Sequence, residues 1–286
     1  MLEAIFLICL GLIWILFSVF QDLKTHEVAN WLNISLIIFA LSFRFFWSLF
    51  ELKSFEFFYF GLIGLGVFFI LGNLLYYSRV FAGGDAKLMI ALGTIIPIYS
   101  NFSDNLKLIL IFLFAFLISG AVYGLVASFG IALNNRKNFV KEFNKRFKKN
   151  KIRNLLFMFC GIVFLILGFV GINEYLFFIG ILVFVFPYLY LFAKSVDESC
   201  MIKKVSGKKL TEGDWLYKDL KIGKKLLKAS WDGLSKEEIG LIKKSKKEVL
   251  IRTGIAYTPV FLISFLIFSA IVLFKEFFLE FLFLLN

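Results

Sequence analysis

Long apolar runs broken by short polar turns and two basic stretches make up this chain. The runs lie near 2–20, 28–50, 57–78, 85–99, 106–133, 154–171, 175–193 and 254–274. A helix of about 20 apolar residues crosses a hydrocarbon core of about 30 Å, so the pattern predicts roughly eight membrane spans. The fold class expected is therefore an all-α polytopic membrane protein with a small soluble insertion. The fourth run is the odd one. From Ala86 to Ile98 it holds thirteen residues, about 20 Å of helix, which is short for that core. Either the bilayer thins there or the preceding Gly83-Gly84 turn dips below the interface. Irregular backbone at that depth requires burial in protein or a wet cavity.

The polar stretches divide the chain. Residues 1–133 form a membrane core of five helices, and 134–153 a basic loop. Residues 154–193 hold two further helices, 194–253 a soluble insertion with short helices, and 254–286 the last helix and tail. Residues 134–153 carry nine Lys or Arg against one Glu, and 194–253 sixteen against nine acids. Five spans precede the first stretch and seven the second, so both fall on one face. By the positive-inside rule that face is cytoplasmic. Asp22 follows one span and Asp85 three, so both carboxylates come out on that side, whereas Asp104 comes out on the other.

Composition agrees with this reading. The chain is 60% hydrophobic with a mean hydropathy of +0.86 and forty Phe. Its net charge of +12 is concentrated in the two basic stretches, which is the distribution of loops beside anionic lipid and not of a nucleic-acid binder. Cys9, Cys160 and Cys200 are scattered and spell neither a disulfide frame nor a metal site. Leu2–Phe20 lacks a basic n-region and reads as a retained first helix.

The candidate chemistry sits in Phe81-Ala-Gly-Gly-Asp-Ala-Lys87. Ionisable residues at membrane depth are costly and point to function. Asp22 and Asp85, at the ends of different helices on one face, meet the geometric minimum for a dyad. Two close carboxylates do not readily both ionise, so one acts as base on a water while the other, protonated, donates to a scissile carbonyl. Which does which is open at this point. The plainer reading is that Asp22 ends the first helix and Asp85 caps the fourth. His26 reads as a surface histidine, Lys87 and Arg44 as snorkelling cations, and Asp197, Glu198, Glu212, Asp214 and Asp219 as solvated charge. Zinc, serine and nucleotide motifs are missing from the sequence.

At these residues the chain resembles a family. Asp22-Leu-Lys-Thr-His-Glu-Val-Ala-Asn-Trp-Leu32 is similar to the first aspartate motif of the prepilin and preflagellin peptidases. Ala82-Gly-Gly-Asp-Ala-Lys-Leu88 is similar to the second motif of these GxGD-type intramembrane aspartyl proteases. Leu210–Leu216, Asp232–Ile239 and Arg252–Val260 look like the C-terminal region of archaeal members. The resemblance implies that Asp22 and Asp85 are the catalytic pair, supported by Gly83, Gly84 and Lys87. It implies water as nucleophile, no metal or cofactor, and a type IV pilin-like or flagellin precursor cut at the cytoplasmic face of the cell membrane. Ala82 replaces the family's first glycine, and Ala29 a common proline. The cysteine-rich loop of methylating bacterial relatives is missing, which implies peptidase activity alone. The basic stretches are expected to set topology and hold membrane lipid. Two rivals remain: a transporter using intramembrane carboxylates, whose inverted repeat the sequence does not display, and a silent assembly protein of the same fold.

Overall fold

The computed structural model describes residues 2–25, 27–99, 101–171, 173–223, 225–230, 233–245 and 248–284, with side chains to 274. It divides into two compact units, Met1–Gly124 with Ala256–Asn286, and Leu125–Ile255. The protein is an all-α polytopic membrane protein, and among the described residues six helices are long and apolar enough to cross a membrane.

The first unit contains α1 (Leu2–Thr25), α2 (Asn30–Trp47, continued by a wider π turn over Ser48–Leu52), α3 (Glu56–Tyr77) and α4 (Gly83–Leu92). It also contains the first part of α5 (Phe102–Asn134), and α10 (Thr258–Leu284). The shortest of these, α4, is the most enclosed. Ala86, Leu88, Met89, Ala91 and Leu92 are all buried, as are Ile95, Ile96 and Ile98 beyond it. Its apolar residues point in every direction, and burial on all sides is what such a helix needs. Glycines on α3 let it in. At Gly64 and Gly93 the two backbones touch, and a Cβ on either would collide with the other's carbonyl oxygen. A Cβ at Gly72 would meet the Ala86 carbonyl at 2.9 Å. Small residues at helix contacts give this close approach in membranes.

The expected fourth span is corrected here: the helix ends at Leu92, and 93–99 are turns. Pro97 lacks the N–H that a continuing helix would use. Termination leaves carbonyls without helical partners in an apolar surround, where each unpaired group is costly. Arg44 of α2 supplies the donors. Its Nε donates to the Thr94 carbonyl (2.8 Å), Nη1 to that of Phe57 (2.7 Å), and Nη2 to those of Ile95 (3.3 Å) and Pro97. The guanidinium also lies 4.4 Å from the Phe57 ring centre, and Gly61 leaves room for its stem. The expectation that Arg44 snorkels is therefore wrong: it is fully buried. A fork of five donors suits four converging carbonyls better than headgroups do.

The second unit holds the rest of α5, then α6 (Arg136–Lys149), α7 (Lys151–Phe169) and α8 (Glu174–Ser199). The basic loop expected at 134–153 is instead helix α6. Phe139, Phe143 and Phe147 recur at i, i+4 and stack in series, and Phe139 and Phe147 meet Phe192 and Tyr188 of α8. A stripe at that spacing has the period of a helix face. Between α7 and α8, Gly161, Gly168 and Gly180 allow backbone contact.

The insertion is corrected too. Among the described residues strands dominate it, not short helices: β1 (Ile202–Ser206), β2 (Trp215–Leu216), β3 (Leu220–Ile222), β4 (Lys225–Leu227) and β5 (Glu248–Arg252), with one α-helix, α9 (Lys236–Ser245), and a 3-10 turn over Gly207–Lys209. Antiparallel strands in the order β1-β5-β2 form one sheet and β3-β4 a hairpin. Leu210, Leu216, Leu227, Ile239, Ile242, Val249 and Ile251 form its core. Asp197 and Glu198 are not free solvated charges. They pair with Lys194 and Arg252, and Tyr217 donates to Glu198 at 2.8 Å.

Arg44→Leu is expected to strand these carbonyls and lower stability by at least about 3 kcal/mol. Arg44→Lys, with one ammonium in place of a fork, should recover only part of that. Thermal unfolding of the detergent-purified protein checks both values.

Candidate active site

The site is assembled from three places in the first unit. The last turn of α1 supplies Asp22, the first turn of α4 supplies Asp85, and the N-terminal turn of α10 supplies Thr258.

Local sequence sets each approach. α1 ends at Thr25, and the chain re-enters as α2 with Ala29 extended at the cap (φ −64°, ψ 136°). Gln21, beside Asp22, accepts the Ala29 N–H at 3.0 Å and closes this turn. A proline at 29 would match that φ but could not donate, so alanine and Gln21 together replace the family's proline. On the other side α3 finishes with Arg79 in the left-handed region (φ 62°), and the Val80 and Phe81 N–H groups return to the Leu75 carbonyl. This C-terminal turn sends Phe81 inward, where it packs against Phe116, Tyr257 and Phe261.

Ala82 then caps α4 in extended conformation (φ −72°, ψ 164°) and is exposed. Any residue adopts that backbone, so the methyl that replaces the family glycine has room. Of the two glycines that follow, Gly84 is the constrained one. A Cβ there would stand 3.3 Å from Val28 Cβ, whereas at Gly83 the nearest atom is 3.8 Å away, on Tyr76. Gly84 thus lets the 27–30 segment lie against the start of α4.

The two aspartates lie within electrostatic reach of each other. Asp85 is the third residue of α4, half-buried, and it interacts electrostatically with Asp22, which is buried. Oδ2 of Asp22 accepts two hydrogen bonds from α10, from Thr258 Oγ1 (2.8 Å) and the Thr258 N–H (3.1 Å). Tyr123 lies within electrostatic reach of Asp22, and Tyr257 of Asp85. The Tyr123 hydroxyl also donates to the Ala256 carbonyl (2.9 Å), which fixes the start of α10.

Lys87 turns away from the pair. Its Nζ donates to Asn30 Oδ1 (2.6 Å), tying α4 to the first residue of α2, and the side chain stays exposed. His26 lies outside the described residues. Asp104 is engaged elsewhere, with Asn101 and Lys107. In the other unit Glu212 pairs with Lys236, and Asp214 and Asp219 accept backbone N–H groups. Among the described residues, no group of three or more His, Cys, Asp and Glu side chains comes together.

Residues 9–125 match the type IV leader peptidase family. Over that segment, which is less than half of the chain, the sequence is similar to this family. The match contains Asp22 and Asp85 together with α4 and the part of α1 from residue 9 onward. Together with the six long apolar helices among the described residues, the match supports a multi-pass membrane protein similar to leader peptidases over that segment. None of the curated proteins and none of the solved structures matches the chain.

The family segment stops at residue 125, yet part of the site comes from α10. Thr258, Tyr257 and Tyr123 escaped the sequence reading as site residues. Thr258-Pro259 does announce a helix start, since proline is favoured in a first turn. Nothing local says that its hydroxyl faces a carboxylate on α1.

Gly83→Ala should leave the melting temperature within about 1 °C, because the added methyl meets only an ordinary contact with Tyr76. Gly84→Leu forces the 27–30 segment off α4, with an expected loss of about 1–3 kcal/mol. Thermal unfolding of the two variants side by side tests this ranking.

Proposed function

We propose that this protein is a peptidase of the leader-peptidase type, an aspartic endopeptidase in which Asp22 and Asp85 are the catalytic pair. Its substrate is a type IV pilin-like or flagellin precursor, and its product is the precursor without the short basic leader. The single observation that carries the reading is that these two carboxylates, from separate helices, lie within electrostatic reach of each other inside the segment that matches the family. Hydrolysis by such a pair needs one carboxylate to accept a proton from water and one carboxylic acid to donate to the carbonyl. No covalent intermediate is required.

The surroundings support that division of labour. The two carboxylates, one buried and one half-buried, come from different helices, so one can accept a proton while the other donates one. Asp22 has two donors of Thr258 fixed on one of its oxygens, and Asp85, which interacts with the Ala82 backbone, stands at the start of a short helix whose first turn is half-exposed. That turn opens the pair to water and to an extended peptide. A precursor whose basic leader stays at the cytoplasmic surface, with its apolar helix in the bilayer, would present the junction there. This orientation follows from the charge distribution of the basic stretches.

The test is processing of a pilin-like or flagellin precursor in membranes, followed by gel shift. Asp22→Asn and Asp85→Asn are each expected to lower the rate by at least about 10³-fold, the order of general acid–base contributions, with insertion and yield unchanged. Full processing by either variant would overturn the catalytic assignment.

A further inference from the structure

The Asp22 carboxylate is held asymmetrically. Oδ2 takes both the hydroxyl and the backbone N–H of Thr258, at 2.8 and 3.1 Å, and no hydrogen bond reaches Oδ1 among the described residues. Thr258 is fully buried. Its hydroxyl has one proton to give, and that proton goes to Asp22. The N–H is one of the first-turn donors that a helix cannot satisfy internally, and it too goes to Asp22. An oxygen that already accepts two donors is not the one that carries an acidic proton. The start of α10 is itself braced by the Tyr123 hydroxyl on the Ala256 carbonyl and by the packing of Tyr257 on Phe81, Phe116 and Phe261. The segment that holds Asp22 therefore also touches Phe81, four residues before Asp85.

We propose that Thr258 is a positioning residue that makes Asp22 the base of the pair, with Oδ1 as the reacting oxygen, and leaves Asp85 as the acid. The inference rests on the peptidase reading above and deepens it. Water attacks the scissile carbonyl carbon and its proton passes to Asp22 Oδ1, while the carbonyl oxygen takes the proton of Asp85. The resulting gem-diol collapses as the C–N bond breaks. The departing nitrogen takes the proton held on Asp22, and a hydroxyl of the diol returns its proton to Asp85. The products are a carboxylic acid and an amine, and the pair is restored. Throughout, Thr258 neither gains nor loses a proton. It keeps the carboxylate from rotating, so the same oxygen faces the water in each turnover.

Two substitutions separate positioning from packing. Thr258→Val keeps the branched shape and the backbone N–H but deletes the hydroxyl. Thr258→Ser keeps the hydroxyl and deletes the methyl. With detergent-purified protein and a precursor peptide, Thr258→Val should lower kcat by about 10- to 100-fold with KM within about twofold, since misplacing a reacting group by about 1 Å costs of that order. Thr258→Ser should retain kcat within about threefold. The reverse pattern, Val active and Ser impaired, would show a packing role and overturn the proposal, as would equal activity of all three proteins. Wild type and Asp22→Asn run in parallel. A wild type that cleaves nothing overturns the peptidase reading and this inference with it. A wild type that cleaves, with Asp22→Asn dead, leaves the reading standing and lets the Val and Ser pair decide the role of Thr258.

Discussion

The constraint on which the first unit depends is that backbone carbonyls in an apolar surround must find donors. Helix α4 stops after ten residues, far short of a bilayer crossing. A helix that ends inside such a core needs its last carbonyls met by something other than water. Arg44 meets them, reaching from α2 to the turns after α4 and to α3 in one side chain. Its charge would be costly in that place if it served lipid or solvent. Spread over four carbonyl dipoles and an aromatic face, the cost of desolvation is offset locally.

That anchored end has a consequence at the other. With its C-terminus fixed by Arg44 and its flank seated on the α3 glycines, α4 has little freedom to slide or tilt. Its first turn, which bears Asp85, is further bounded by Val28 against Gly84 and by Lys87 on Asn30. Asp22 is constrained separately, from α10. Each carboxylate is thus placed by contacts that do not involve the other. Rigid presentation from independent elements is what a reacting pair requires, because catalysis falls steeply with small displacements.

The departures from the family motifs lose their weight at this level. Ala82 sits exposed and extended, where a methyl group meets no obstacle. Ala29 keeps the backbone angle that a proline would impose and uses its N–H to bind Gln21. In both places the chain reaches the local geometry by another route.

Periodicity and composition determined a good deal by themselves. Continuous apolar runs of about 20 residues without charge settle a helical membrane protein, because a helix of that length crosses the bilayer with its backbone bonded internally. The two aspartates and the glycines before Asp85 were legible as candidates because charge and glycine stand out against apolar sequence. The Phe139, Phe143 and Phe147 spacing has the period of α6, but the dense positive charge around it is equally that of a loop. Tertiary structure alone decided the rest. Arg44 looked like a cation at a helix end, and only the termination of α4 fifty residues later gives it partners. The strands of 202–252 are short and lysine-rich, and pairing makes them strands where periodicity does not. Thr258 meets Asp22 across 236 positions. A contact of that kind depends on how α10 packs against α1, with Gly11 admitting Phe265, and no local pattern in either segment encodes it.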